Sequence, residues 1–190
     1  MPNVGGPAQA KRALLVTISK LLYASPTWAL ISIKTAKNRK SMARVQRATA
    51  LRTIGAYHTV SAEASFVLAC MLPADLLSYK QARLKSRLEE AVDPTTTIAK
   101  IKSEERNISI NSWQSTWDRS QDGRWTHRFF LNNARWLAKP TISLSFHVIQ
   151  ALSGHGCFRS YLSRMKRAED SYCGYFMDPD DTAEHTLFLP

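Results

Sequence analysis

The spacing of apolar residues predicts helices through the first half of the chain. A stripe of leucines and isoleucines at intervals of three and four residues begins after Ala8, and Pro26 breaks or restarts it. A second helix is predicted from Lys34 to Tyr57, with a basic face. Thr59 or Ser61 is a candidate N-cap for the helix that follows. The first half therefore predicts a helical bundle.

The second half also contains helix signals, with one ambiguous segment. Pro73 suits the first turn of a further helix, and Asp93-Pro94 marks another helix start. Asp122-Gly123 predicts a turn. Residues 143–152 fit either a helix or a strand, because their apolar positions alternate. The expected fold class is mainly α, a helical bundle followed by a helical linker and a small irregular C-terminal tail.

Charge is distributed very unevenly along these elements. The 190 residues include 26 Lys and Arg against 15 Asp and Glu, a net charge of +11. Residues 1–62 contain ten basic and no acidic residues, whereas six acidic and no basic residues follow Arg167. A block of one sign cannot neutralise itself through local ion pairs, and it repels itself unless anions lie nearby. RNA or DNA, bound through its phosphates, is therefore the expected partner.

The second predicted helix is the main candidate for phosphate contact. The candidate nucleic-acid-binding residues are Lys37, Arg39, Lys40, Arg44, Arg47 and Arg52, joined by Arg124 and Trp125 beyond the helix. A merely solvated helix face is the competing interpretation. Trp113 and Trp117 lie four residues apart on a predicted helix, which favours core packing over base stacking.

Several blocks of the sequence resemble one family in order and coverage. They are Met1–Pro7, Leu21–Trp28, Gln46-Arg47, Leu51–Ser61, Trp113–Trp117, Gly123–Thr126 and Gly154–Leu162. Together they resemble the C-terminal part of the reverse transcriptase polyprotein of arthropod non-LTR retrotransposons. The resemblance implies a thumb, a linker and a zinc knuckle, here placed at residues 1–91, 92–168 and 169–190. It also implies support for template and primer in target-primed reverse transcription, next to a polymerase palm.

The implied zinc knuckle is incomplete. The family spacing falls on Cys173, Phe176, His185 and Pro190, so that two of the four ligands are missing. A structural zinc site needs four ligands. Cys173 and His185 are thus candidates for an incomplete metal site only, and no cofactor is expected. The lost ligands fit a decayed element.

The residue patterns do not assemble a catalytic site. The acidic pair Asp180-Asp181 lies among turn-forming residues, whereas polymerase carboxylates lie at the tip of an apolar hairpin. His155 and Cys157 lack the third group and the oxyanion hole that a nucleophilic dyad needs. We therefore expect no enzyme activity from the chain itself.

Two further alternatives concern partners and location. A helical interaction module whose basic face docks an acidic protein would carry the same charge pattern. Three cysteines without disulfide spacing fit a reducing compartment, nucleus or cytosol, and not secretion. The apolar stretch 13–33 is interrupted by Lys20 and Pro26, so no membrane partner is expected.

Overall fold

The chain folds into helices joined by short loops. The computed structural model describes residues 6–32, 34–90, 98–138, 144–174 and 179–188, and the backbone alone for 6–11 and 13. These ranges hold eleven α-helices and no strand, which confirms the mainly α prediction. The helices are α1 (Gly6–Leu21), α2 (Ser25–Ser32), α3 (Ala36–Ile54), α4 (Ala62–Leu68), α5 (Ala74–Glu90), α6 (Ile98–Arg119), α7 (Arg124–His127), α8 (Asn133–Leu137), α9 (Phe146–Ser153), α10 (Arg159–Arg164) and α11 (Ala183–Phe188). The helix start expected at Asp93-Pro94 lies outside the described residues.

The ends of α1 to α3 follow from proline and glycine. Pro26 lies in the first turn of α2, where its missing N–H costs nothing. The predicted second helix ends at Ile54, earlier than expected, because Gly55 adopts a left-handed conformation with φ of 67°. Its N–H and that of Ala56 both donate to the Leu51 carbonyl, which closes the helix end.

Two sequence ambiguities are resolved by hydrogen bonds. Ser61 caps α4, since its Oγ accepts a bond of 3.2 Å from the Ala64 N–H. Thr59 does not cap, because its hydroxyl lies 2.8 Å from the Tyr161 hydroxyl. Residues 146–153 are helical, and Ser145 caps that helix. The strand alternative for this segment is wrong, and the side chains of Phe146 and Val148, two of the alternating apolar positions, are exposed.

The main hydrophobic core joins helices from both halves of the chain. Its buried members are Ala50, Leu51, Val60, Ala64, Phe66, Val67, Leu68, Met71, Leu72, Ile110, Trp113, Trp117, Phe130 and Ile149. Trp113 and Trp117 are core residues, as their spacing predicted. The Trp117 indole N–H donates to the Phe130 carbonyl at 2.8 Å, which satisfies its polar atom inside the core. The division into regions ending at 91 and 168 stays a prediction.

Two glutamines fix the chain where it enters a helix. The fully buried Gln46 donates to the Leu72 carbonyl at 2.7 Å and accepts from the Ala74 N–H at 2.8 Å, on either side of Pro73. The half-buried Gln114 makes the same pair of bonds at the start of α8, to the Leu131 carbonyl and the Asn133 N–H. Each side chain thus satisfies an N–H that a helix start leaves unpaired.

An ion-pair cluster joins α5 to α6. The buried Glu105 accepts from Arg83 at 2.6 Å and from Arg87 at 3.0 Å, and Arg87 also reaches Glu104 at 2.6 Å. Burial alone would raise the pKa of Glu105, but the bonds from the two arginines outweigh it and hold that pKa below its ordinary value. The basic residues of α5 are thus used within the fold.

The C-terminal tail is more ordered than its composition predicted. Asp181 receives the backbone N–H of Arg159 on its carboxylate at 2.9 Å, and its own N–H donates to the Ser171 carbonyl at 2.7 Å. The helix α11 follows, and Ala183 packs with Phe158 and Tyr161 in a second small core. The described part of the tail therefore docks on α10 and is not simply irregular.

Within the described residues, no single helix is long and apolar enough to cross a membrane. Residues 14–21 of α1 and helix α2 satisfy that test only as a pair, and the pair is bent by 73°.

The hydrogen bonds of Gln46 and Gln114 predict losses of stability of different size. Gln46→Leu leaves a buried carbonyl and a buried N–H without partners, and should lower the free energy of unfolding by about 2 to 4 kcal/mol. Gln114→Leu, whose site is reached by water, should cost about 1 kcal/mol. Urea unfolding of the two variants measures the difference. Equal losses of unfolding free energy in the two variants would show that the bonds of Gln46 contribute no more than those of Gln114.

Candidate nucleic-acid interface

Four cations share the exposed face of α3. Lys37, Lys40, Arg44 and Arg52 are all exposed, and intervals of three, four and eight residues place them on one side of the helix. We call these four residues the α3 stripe. Within the described part of the chain, none of them takes part in an ion pair. The α3 stripe thus presents four unneutralised charges to solvent.

Arg47, predicted to bind phosphate, is used inside the fold. Its Nε donates to the Val60 carbonyl at 2.9 Å, and its Nη2 donates to the Val60 carbonyl at 2.6 Å and to the His58 carbonyl. The side chain is half-buried. These bonds hold the loop between α3 and α4, and contact of Arg47 with phosphate stays a prediction.

Arg39 lies on a different side of α3 from the stripe. It is exposed, and its Nη1 donates to the Lys34 carbonyl at 3.3 Å. Burial raises the pKa of Asp75, at the start of α5, and the positive charge of Arg39 partly opposes that shift. Arg39 therefore interacts electrostatically with Asp75 on α5.

Arg124 and Trp125 both have partners within the protein. Arg124 donates to the carbonyls of Asp118 and Ser120 at 3.2 and 3.3 Å, although it is exposed. The half-buried Trp125 donates its indole N–H to the Ala151 carbonyl at 2.7 Å, and its ring packs edge-on against Phe129 at 5.2 Å. Stacking of Trp125 on a base stays a prediction, and the structure gives the ring a packing role.

The two candidate metal ligands are both buried. Cys173 is 4% exposed and His185 is 5% exposed. The other two knuckle positions, 176 and 190, lie outside the described residues. Among the residues that are described, no three His, Cys, Asp or Glu side chains come together in a way that could hold a metal ion.

The acidic tail pairs with cations of the middle of the chain. Glu184 bonds to Arg128 at 2.6 Å, and Asp170 bonds to Arg159 at 2.8 Å. Both arginines lie far from the first 62 residues in sequence. In the described residues the tail therefore leaves the α3 stripe unneutralised.

The internal roles of Gln46 and Arg47 were missed by the residue patterns. Charge counting treated Arg47 like its neighbours, because helical spacing does not show which guanidinium reaches a loop carbonyl. Gln46 offered the available signal, because it is a polar residue on the side of α3 that also carries the buried Ala50. A polar residue on a buried face needs a hydrogen-bond partner.

The comparisons with known proteins agree with a transposable-element origin. The chain is 28% identical over 180 residues to a Drosophila melanogaster protein described as a putative 115 kDa protein in type-1 retrotransposable element R1DM. The match covers 88% of this chain and 17% of that protein, so the chain spans less than a fifth of its relative. No protein-family model matches, and no solved structure does. The chain is thus related to one segment of a retrotransposon protein.

Two neighbouring arginines on α3 should respond differently to the same substitution. Arg47→Gln removes charged hydrogen bonds to two loop carbonyls and should cost about 1.5 to 3 kcal/mol of unfolding free energy. Arg44→Gln, on the exposed stripe, should change stability by less than about 0.5 kcal/mol. Urea or thermal unfolding measures both. A larger loss in the Arg44 variant would contradict the assigned roles.

Proposed function

We propose that this chain is a nucleic-acid-binding segment of a retrotransposon reverse transcriptase polyprotein. In this proposal the α3 stripe contacts the phosphates of RNA or DNA, and the segment contributes no catalytic residue of its own. The observation that carries it is the exposure of four cations on one helix face without ion-pair partners among the described residues. Such a face is attracted to a polyanion and gains when counterions are released.

The charge distribution supports a phosphate partner over a solvated face. Several cations elsewhere in the described chain are used internally, as in the cluster of Arg83 and Arg87 on Glu105 and the pairs of Arg128 and Arg159. The stripe differs from them, since no acidic side chain of the described residues forms an ion pair with it. Contacts of this kind fix position on the backbone and carry little sequence information.

The similarity to a retrotransposon protein supports a more specific form of the proposal. A thumb-like bundle would lie beside a polymerase palm and support template and primer during target-primed reverse transcription. The catalytic carboxylates would then belong to another part of the polyprotein. The incomplete knuckle at Cys173 and His185 fits a decayed copy of such an element.

The salt dependence of binding tests the proposal. Replacing Lys37, Lys40, Arg44 and Arg52 together by Gln should flatten the plot of log Kobs against log salt for single-stranded RNA by roughly 0.7 per lost contact, about three in total. Fluorescence anisotropy from 50 to 300 mM salt measures the slope. Arg47 is left intact so that the fold is not disturbed.

A matched variant controls for net charge. Lys100, Lys102, Arg106 and Arg119 are two lysines and two arginines exposed on α6, and their replacement by Gln removes the same charge. We expect that variant to change the slope by less than about one. Equal slopes in the two variants would defeat the assignment to α3. Salt-sensitive binding to polyglutamate without binding to RNA would favour the acidic-protein alternative.

A further inference from the structure

A pocket lies beside the loop that Arg47 holds. It has a volume of about 420 Å³ and is formed by four separate parts of the chain: 59–64, 122–126, 153–155 and 164–165. Its floor includes the buried Val60 and Thr126, and its mouth includes the exposed Asp122 and Arg164. A pocket of this size holds a small organic molecule or one unit of a polymer.

Two glycines shape the pocket wall. Gly123 has φ of 70°, and a Cβ there would lie 3.1 Å from Ala64 and 3.2 Å from the Ser61 Oγ. Gly154, next to two pocket residues, has φ of 69°, and a Cβ there would meet the Trp125 ring at 2.9 Å. The two glycines therefore allow these segments to approach each other closely.

The pocket hydroxyls are mostly committed to the protein. Thr126 donates to the Leu152 carbonyl, Ser153 donates to the Gln150 carbonyl, and Ser61 caps α4. Thr59 pairs with Tyr161. The polar groups left for a ligand are thus the carboxylate of Asp122, the guanidinium of Arg164 and one imidazole nitrogen of His155.

The tautomer of His155 follows from its surroundings. Burial lowers the pKa of His155, the bond to the Ser153 carbonyl opposes that shift, and the charge of Arg164 adds to it. The ring is therefore neutral near pH 7. Its Nδ1 lies 2.6 Å from the Ser153 carbonyl, which only accepts, so Nδ1 carries the proton. Nε2 is then a hydrogen-bond acceptor, and no donor of the described residues reaches it.

A ribonucleotide unit matches these three groups. Its phosphate suits Arg164, which lies over the Tyr161 ring at 5.5 Å, and its hydroxyls are donors for His155 and Asp122. The pocket also continues the basic face of α3, because Arg47 bonds to Val60 of the pocket floor and Arg44 lies one helical turn away. We expect a strand that lies along the stripe to continue toward the pocket.

We propose that this pocket binds one nucleotide of single-stranded RNA, with the ribose 2′-hydroxyl donating to His155 Nε2, so that the chain prefers RNA to DNA. The inference rests on the proposed function, since it needs a strand held by the α3 stripe. It adds a site and a choice between the two nucleic acids, neither of which follows from charge.

The test compares three oligonucleotides of one sequence with the full chain: RNA, DNA and 2′-O-methyl RNA. RNA should bind about threefold to tenfold more tightly than DNA, the effect of one hydrogen bond. The 2′-O-methyl RNA keeps the oxygen but lacks the donor, so it should bind like DNA. Equal affinities of the unmodified chain for all three would overturn the pocket assignment.

Two histidine variants complete the test. His155→Phe keeps an aromatic ring against Tyr161, which lies 5.0 Å away, and should remove the preference for RNA over DNA. His147→Phe, at an exposed position outside the pocket, should keep the preference. Retention of the preference in a folded His155→Phe variant would overturn the assignment.

The results distinguish a failure of the pocket assignment from a failure of the proposed function. If RNA and DNA bind equally but the α3 variant flattens the salt slope, the pocket is wrong and the proposed function stands. If neither binds in a salt-sensitive way, both are wrong.

Discussion

The hydrogen bonds that Gln46 and Arg47 make from the middle of α3 are the constraint on which the arrangement depends. Gln46 holds the backbone on either side of Pro73, and Arg47 holds the carbonyls of the loop before α4. Together they fix the rotation of α3 about its axis, because each side chain reaches a different loop. The face opposite Gln46, which carries Lys37, Lys40 and Arg44, then points to solvent.

This arrangement separates two kinds of cation in one basic protein. Some arginines stabilise the fold through carboxylates or carbonyls, as Arg83 and Arg47 do. The stripe cations make no such ion pairs within the described residues, and their mutual repulsion costs stability in the absence of an anion. A protein that keeps such a face gains most when a polyanion covers it. The described part of the acidic tail pairs with Arg128 and Arg159 and forms no ion pair with the stripe.

The fold class was predictable, and the site was predictable only in part. Apolar spacing, Pro26 and Asp122-Gly123 gave the helices and a turn correctly, since these depend on local physics. The end of α3 at Gly55 and the choice of Ser61 over Thr59 depend on hydrogen bonds that the sequence does not display. The basic helix was predicted, but the separation of Arg47 from Arg44 requires tertiary contacts. The pocket was not predicted, because its walls come from four distant segments.

We propose that phosphate covers the solvent-facing side of α3. Lysine acetylation followed by mass spectrometry, with and without saturating RNA, tests it at single residues. We expect strong protection of Lys37 and Lys40 by RNA, and unchanged labelling of Lys100 and Lys102, which are also exposed and lie on α6. Labelling of Lys37 and Lys40 that RNA leaves unchanged, in a chain shown to be saturated, would contradict it.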